Sequence, residues 1–226
     1  MNSLPLSQAS PYLVALNMVH KAVVIVGGGV VASRKIGALL ASGARVTVIS
    51  PMVTEAIRTQ AAQSNLQWIA ATYEPGLLAA YQPVLVIAAT DDSAINQQVR
   101  DEARQLGAWV NDVSAPDEAD FANMAVIDRA PLQIGISSGG ASPALLRWLK
   151  QQLTHIVDVP LGQLASWMQA LRGVTANSVT EQAERQRLYD EILASDVLSL
   201  LRDDQPEAAR QRFEQIVQAH LPRERS

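Results

Sequence analysis

Gly27-Gly28-Gly29 followed by Val30, Val31 and Ala32 spells Gly-x-Gly-x-x-Ala. This pattern cradles a dinucleotide pyrophosphate when it closes a strand and opens a helix. Gly27 then permits the tight turn, and Gly29 lets backbone approach the phosphates. Ala32 is small enough for close helix–sheet packing, and the helix N-terminus offers N–H groups and a favourable dipole. A purely structural glycine turn is the alternative. The acid that usually holds the ribose 2′-hydroxyl, about 20 residues further on, is missing. The chain there reads Ile49-Ser50-Pro51-Met52, with Glu55 the nearest acid, so Ser50 or backbone groups would bind the ribose. The fingerprint leaves NAD and NADP open, but Arg45 lies at the wrong end of its strand for a 2′-phosphate, which favours NAD. Thr90, in Ala88-Ala89-Thr90-Asp91-Asp92, falls at a strand's carboxyl end, where ligands of open α/β sheets bind. Asp91 or Asp92 equally suits a helix N-cap.

Composition excludes several chemistries. With no Cys among 226 residues there is no disulfide, thiolate ligand or cysteine nucleophile. His20, His155 and His220 are too scattered for a ligand cluster, so no protein metal site is expected. His155, near a helix end, reads as a packing or capping residue. A net charge of −4 gives no footprint for sequence-independent nucleic-acid binding. No apolar run reaches the roughly 18 residues that span a bilayer. The N-terminus has no Lys or Arg before its short apolar stretch and does not read as a signal peptide. A soluble, cytoplasmic protein is expected.

The elements that must position these residues follow from periodicity. Ala22–Val26, Arg45–Ile49, Leu66–Ile69, Val84–Ala89 and Ala108–Asn111 are short apolar or β-branched runs. Helical stretches separate them. One runs from about Val30 to Ser42, with Val31, Ile36, Leu39 and Leu40 as its stripe. Others cover 54–62 and 91–106, the latter with Ile95, Val99, Ala103 and Leu106 on one face. Strands alternating with helices mean βαβ units and a mostly parallel sheet, an α/β fold of Rossmann type. After a loop over 114–119, two strands over 125–128 and 132–136 flank an Arg-Ala-Pro turn. SSGGASP leads into a helix over 143–156, with Ser142 as N-cap and Pro143 at N1. From Pro160 onward the chain reads helical, with stripes at Leu161, Leu164, Ala165, Met168 and Leu171, then Leu188, Ile192, Leu193, Val197 and Leu201, then Phe213, Ile216 and Val217. The expected domains are a dinucleotide-binding domain over 1–113, a small middle segment over 114–158 and a C-terminal helical domain over 159–226.

GGGVVASRK (27–35), AATDDSAINQQV (88–99), FANMAVIDRAPLQIGISSGGASP (121–143) and PLGQLASWMQALR (160–172) resemble, in order and spacing, the precorrin-2 dehydrogenase/sirohydrochlorin ferrochelatase family. The same module forms the N-terminal half of bacterial sirohaem synthase, and the match covers residues 12–200. The resemblance implies that 114–158 is a dimerisation segment and that the protein is an intertwined homodimer, which oxidises precorrin-2 to sirohydrochlorin with NAD in sirohaem or cobalamin synthesis. In some members insertion of Fe²⁺ or Co²⁺ follows. It also implies that Val30, Val31, Pro51 and Met52 contact NAD and that Ser138 lies near the tetrapyrrole. A substrate with eight carboxylates needs anion sites. The Gly139-Gly140 turn before the Pro143 helix is one candidate, with a plain helix cap as the alternative. Arg34, Lys35, Arg129, Arg147 and Arg172 are candidate carboxylate partners.

The sequence departs from the family pattern at three places. The family's acid in Asn-x-x-Asp falls at Ser114 of Asn111-Asp112-Val113-Ser114. Strand alternation puts Asp112 and Ser114 on one face, so these are the two candidate catalytic positions. A serine cannot act as a carboxylate base, so either Asp112 substitutes as base or metal-interacting group or the role is lost. Met124 stands near a usual proline, and residues 172–177 carry fewer cations than relatives do. These departures motivate a second reading, a divergent paralogue that binds a tetrapyrrole or dinucleotide as sensor, carrier or assembly partner. A dehydrogenase for an unrelated small substrate is a third.

Overall fold

The computed structural model describes residues 11–178 and 182–220, with the side chains of 174–178 outside that description. The signal-peptide expectation falls mostly on the first ten residues, which lie outside the described residues, and the cation-poor stretch partly on 174–177, whose side chains do.

Strands β1 (Ala22–Val26), β2 (Arg45–Ile49), β3 (Gln67–Ile69), β4 (Leu85–Ala88) and β5 (Trp109–Asp112) form a wholly parallel sheet in the order β3-β2-β1-β4-β5. The β-branched runs are buried on both faces, as a helix-covered parallel sheet requires. Val23 and Ile25 of β1 enter one core with Ile36, Val46, Val48 and Ile57. Val24 and Val26 enter the other with Leu78, Val86, Val99 and Val110. Helices α1 (Val30–Ala41), α2 (Glu55–Ala62) and α3 (Ser93–Gln105) complete the crossovers.

Two helix faces differ from expectation. On α1, Ile36 is buried as expected, but Val31 is 45% exposed and Ala32 is buried in its place. On α3 the buried face is Asn96, Val99, Arg100 and Ala103, while Leu106 sits at the C-cap and is exposed. The face therefore carries two polar side chains, and both find partners. A short 3-10 turn over Leu78–Tyr81 was not foreseen.

The first compact unit runs to Asn123, beyond the 113/114 boundary expected from the sequence. Polar side chains tie the segment after β5 back onto it. Arg100 pairs with Asp112 at 2.6 Å and Glu118 at 3.1 Å, and Arg104 donates to the Glu118 carbonyl and pairs with Asp120. Asp120 accepts from the Val110 N–H, and Asn111 donates to the Phe121 carbonyl. Lys35 donates to Asn111 at 3.1 Å and Asn123 at 2.6 Å.

The second unit begins at Met124. Strands β6 (Ala125–Arg129) and β7 (Leu132–Ile136) form an antiparallel hairpin. Its Ile127 and Ile136 join Val157 and the inner side chains Leu146, Leu149 and Leu153 of α4 (Pro143–Ile156). Met124, at the usual proline position, packs on Gly135, where a methyl group would meet its Cε at 2.9 Å. Helices α5 (Val159–Ser178), α6 (Gln182–Ala194), α7 (Val197–Arg202) and α8 (Pro206–His220) enclose Leu164, Leu171, Leu188, Ile192, Val197, Leu201, Phe213 and Ile216. Leu193, placed in that stripe from the sequence, is 58% exposed because the Leu188–Ile192 edge of α6 faces the core.

Candidate functional site

The carboxyl ends of β1 and β4 flank the point where the strand order reverses, β2 and β3 lying to one side and β5 to the other. Ligands of open α/β sheets bind at such a point. A cleft of about 610 Å³ opens there, lined among others by Gly27, Gly28, Gly29, Ser50, Pro51, Met52, Thr54, Tyr73 and Thr90. Six residues singled out in the sequence, Gly27, Gly29, Ser50, Pro51, Met52 and Thr90, thus share one cavity. Val30 and Val31 begin α1 as exposed side chains outside this lining.

Each glycine of the loop has its own constraint. Gly27 has φ +114°, and a methyl group there would meet the Ala89 carbonyl oxygen at 2.2 Å. Gly28 presses on the Met52 carbonyl in the same way and accepts from the Thr54 N–H at 2.9 Å, an approach the sequence did not reveal. Gly29, the α1 N-cap, has nothing within 4 Å of a would-be methyl group. The space over Gly29 and the acid-free first turn of α1 suit a pyrophosphate.

Past the end of β2 Ser50 donates to the Met52 carbonyl at 2.7 Å, fixing the turn that follows the strand. Arg45 donates to the His20 carbonyl at the opposite end of that strand. The Tyr73 wall, unforeseen from the sequence, is held by Glu102, whose carboxylate accepts from the Tyr73 hydroxyl and from the Gly76 and Leu78 N–H groups. Burial, then the Glu102 hydrogen bond and the nearby Glu102 and Asp101 charges, push the Tyr73 phenol well above its ordinary range.

Thr90 leads into a buried polar network. Asn96, 0% exposed, accepts from the Thr90 N–H at 3.0 Å and hydroxyl at 2.7 Å, and donates to the Thr90 carbonyl at 3.1 Å. Its amide also donates to the Ser114 hydroxyl at 3.2 Å. Ser114 donates to Asp112 Oδ1 through its hydroxyl at 2.6 Å and its N–H at 2.9 Å. Asp112 Oδ2 meets Arg100. Asp112 and Ser114 do share a face, but Asp112 is 1% exposed with both oxygens engaged, whereas Ser114 is exposed. The helix-capping residue of the Asp91-Asp92 pair is Asp92, which accepts from the Ala94 and Ile95 N–H groups.

Elsewhere in this unit, burial holds the Lys35 ammonium below its ordinary range, and only the two amide oxygens accept from it among the described residues. Ser138, Gly139, Arg129 and Arg147 belong to the second unit. Ser138 Oγ accepts from the Ser142 N–H at 3.3 Å, and Gly139 and Gly140 both take positive φ in the turn. Ser142 caps α4 by accepting from the Leu145 N–H. Arg129 donates to the Asp128 carbonyl, and Arg147 is exposed.

Comparison with known proteins gives a consistent family. The family described as putative NAD(P)-binding matches residues 14–125. That described as sirohaem biosynthesis protein central matches 129–155, and the sirohaem synthase dimerisation region matches 160–217. A siroheme synthase of Aeromonas salmonicida is 37% identical over 191 residues, covering 84% of this chain and 40% of that protein. One from Yersinia enterocolitica is 38% identical over 204 residues, covering 89% of this chain and 43% of its own. The chain therefore spans about two-fifths of the length of these relatives. A solved structure titled SirC, precorrin-2 dehydrogenase, superimposes with TM-score 0.75 at 26% identity, over 91% of this chain and 100% of that one.

Proposed function

The chain belongs to the precorrin-2 dehydrogenase/sirohydrochlorin ferrochelatase family, and on that premise we propose that it oxidises precorrin-2 to sirohydrochlorin with NAD. The observation that carries this reading is the glycine-lined cleft at the sheet's reversal point, joined through Asn96 to the Ser114–Asp112 pair. Gly27–Gly29 and the first N–H groups of α1 hold the pyrophosphate. The Ser50–Met52 turn and the Tyr73 wall hold the adenosine, and among the described residues no Lys or Arg lines the cleft to select a 2′-phosphate. When bound, the dinucleotide supplies the hydride acceptor. The single Thr90 hydroxyl hydrogen has protein acceptors in Asn96 Oδ1 at 2.7 Å and the Asp92 carbonyl at 2.9 Å. One lone pair accepts from the Asp92 N–H, and the other is left for a ligand donor.

Asp112 serves as a positioning residue rather than the base, because Arg100 and Ser114 occupy its carboxylate and water is excluded from it. Metal insertion would require a group that takes the macrocycle's inner N–H protons, and neither clamped Asp112 nor Ser114 provides one. This favours dehydrogenation without insertion of Fe²⁺ or Co²⁺. Among the described residues no three His, Asp or Glu side chains gather into a metal site. The working form is a homodimer. Helix α4 buries no residue fully in one chain and exposes Leu145 and Trp148, and the dimerisation-region match follows it in sequence. The described helices include none long and apolar enough to cross a membrane.

Precorrin-2 mixed with the protein and NAD is expected to yield the sirohydrochlorin spectrum and one NADH per macrocycle. Absence of NAD-dependent turnover by the dimer overturns the reading and leaves the divergent paralogue, which would still bind a tetrapyrrole or dinucleotide. Fe²⁺ or Co²⁺ added to sirohydrochlorin tests insertion separately.

A further inference from the structure

We propose that Ser114 is a hydrogen-bond acceptor of fixed polarity that recognises an N–H group of the bound macrocycle. The polarity is set by backbone. Asn96 lies against the peptide groups of Thr90, whose N–H can only donate and whose carbonyl can only accept. These two bonds leave one orientation for the Asn96 amide, so its NH₂ must be the group facing Ser114 at 3.2 Å. On the other side Asp112, paired with Arg100, accepts from the Ser114 hydroxyl at 2.6 Å. The single hydroxyl hydrogen is therefore committed to Asp112, and one lone pair is occupied by Asn96. What Ser114 presents to its exposed side is the remaining lone pair.

A site that can only accept discriminates between ligands. It favours an N–H donor, and it repels a carboxylate, which offers only further lone pairs. It holds the N–H without deprotonating it, since the serine oxygen is a poor base and its route to Asp112 ends at a carboxylate neutralised by Arg100. Asn96 and Asp112 are then positioning residues for Ser114. Asn96 also binds the Thr90 turn that lines the dinucleotide cleft, so the acceptor stands one side chain away from that cleft. The identity of the ligand rests on the tetrapyrrole reading above; the polarity of the hydroxyl does not.

The test compares sirohydrochlorin with its square-planar nickel(II) complex, which has the same carboxylates but no inner N–H. Titration of the dimer followed by fluorescence quenching is expected to show the free macrocycle binding about five- to tenfold more tightly, the worth of one hydrogen bond. Ser114→Ala, at an exposed position, is expected to bring the ratio close to one with a cooperative thermal transition retained, and Ser114→Thr to restore it. Equal affinity of the two ligands for the unsubstituted protein, or a preference unchanged in Ser114→Ala, overturns the proposal. Binding of neither ligand overturns the tetrapyrrole reading as well, a different outcome from equal binding of both.

Discussion

Arg100 and Asp112 meet at 2.6 Å with side chains only 7% and 1% exposed, so the first unit carries a buried ion pair at the carboxyl end of its sheet. Removing one partner of such a pair strands the other charge. Asp112→Ala should therefore lower unfolding free energy by about 3–5 kcal/mol in urea titrations, whereas Arg100→Met with Asp112→Leu should recover much of that loss. A destabilisation below about 1 kcal/mol would show that the pair is not buried in solution.

Gly27 and Gly29 should separate folding from binding. Gly27→Ala puts a methyl group 2.2 Å from the Ala89 carbonyl oxygen at φ +114°, so the thermal midpoint falls together with NAD affinity. Gly29→Ala meets nothing in the protein but stands where the pyrophosphate would approach. Calorimetry is expected to show an NAD Kd raised by about tenfold or more, equivalent to some 1.4 kcal/mol, with the midpoint nearly unchanged.

Glu102 should act on binding through Tyr73. Glu102→Ala removes three acceptor contacts, each worth about 1.5–3 kcal/mol at most where the carboxylate is shielded. NAD affinity is expected to fall because the cleft wall loosens. Spectrophotometric titration near 295 nm should show Tyr73 ionising later than an ordinary phenol, and earlier again in Glu102→Gln. With the folded value raised, this contribution to stability is complete below the unfolded phenol's titration near pH 10 and is lost as pH rises beyond it.

Asp158 gives the second unit an acid-side dependence. Burial alone would raise its value, but hydrogen bonds from Arg202 and the Leu161 N–H, with the Arg202 charge, outweigh that and hold the carboxyl below its ordinary range. A depressed folded value means a contribution present above the unfolded value near 3.8 and lost as pH falls through the folded one. Arg202→Gln should shrink the acid-induced fall in the thermal midpoint. The pair is partly exposed, so high salt should shrink it too.

Trp148, 57% exposed on α4, should report on assembly. Trp148→Glu is expected to convert a dimer into monomers by light scattering, with the hairpin–helix core of Ile127, Ile136 and Leu149 intact.

The sheet and the glycine loop were legible because each signal is local. A β-branched run followed by Gly-x-Gly-x-x-Ala specifies strand, turn and helix in succession. The Asn96 network was not, because its members lie at 90, 96, 112 and 114, and only the fold brings them together. A trace of it existed, since Asn96 stands three places before Val99 and Arg100 three before Ala103 along α3, on the face that turns inward. Ranking positions by apolarity placed Ile95 at the edge of that core, where it packs, but also put Leu106 there, which is exposed. Asp112 and Ser114 were rightly placed on one side of the chain, but alternation could not reveal that Arg100 already held the carboxylate.

The clamp around Ser114 also bears on how this position can vary. An aspartate there would set a second carboxylate against Asp112, although the Asn96 amide would still find an acceptor in it. Arg100, already shared with Glu118, would have to serve a third anion. Charge therefore couples positions 100, 112 and 114, and family members that carry the acid at 114 are expected to lack the acid at 112 and its Arg100 partner.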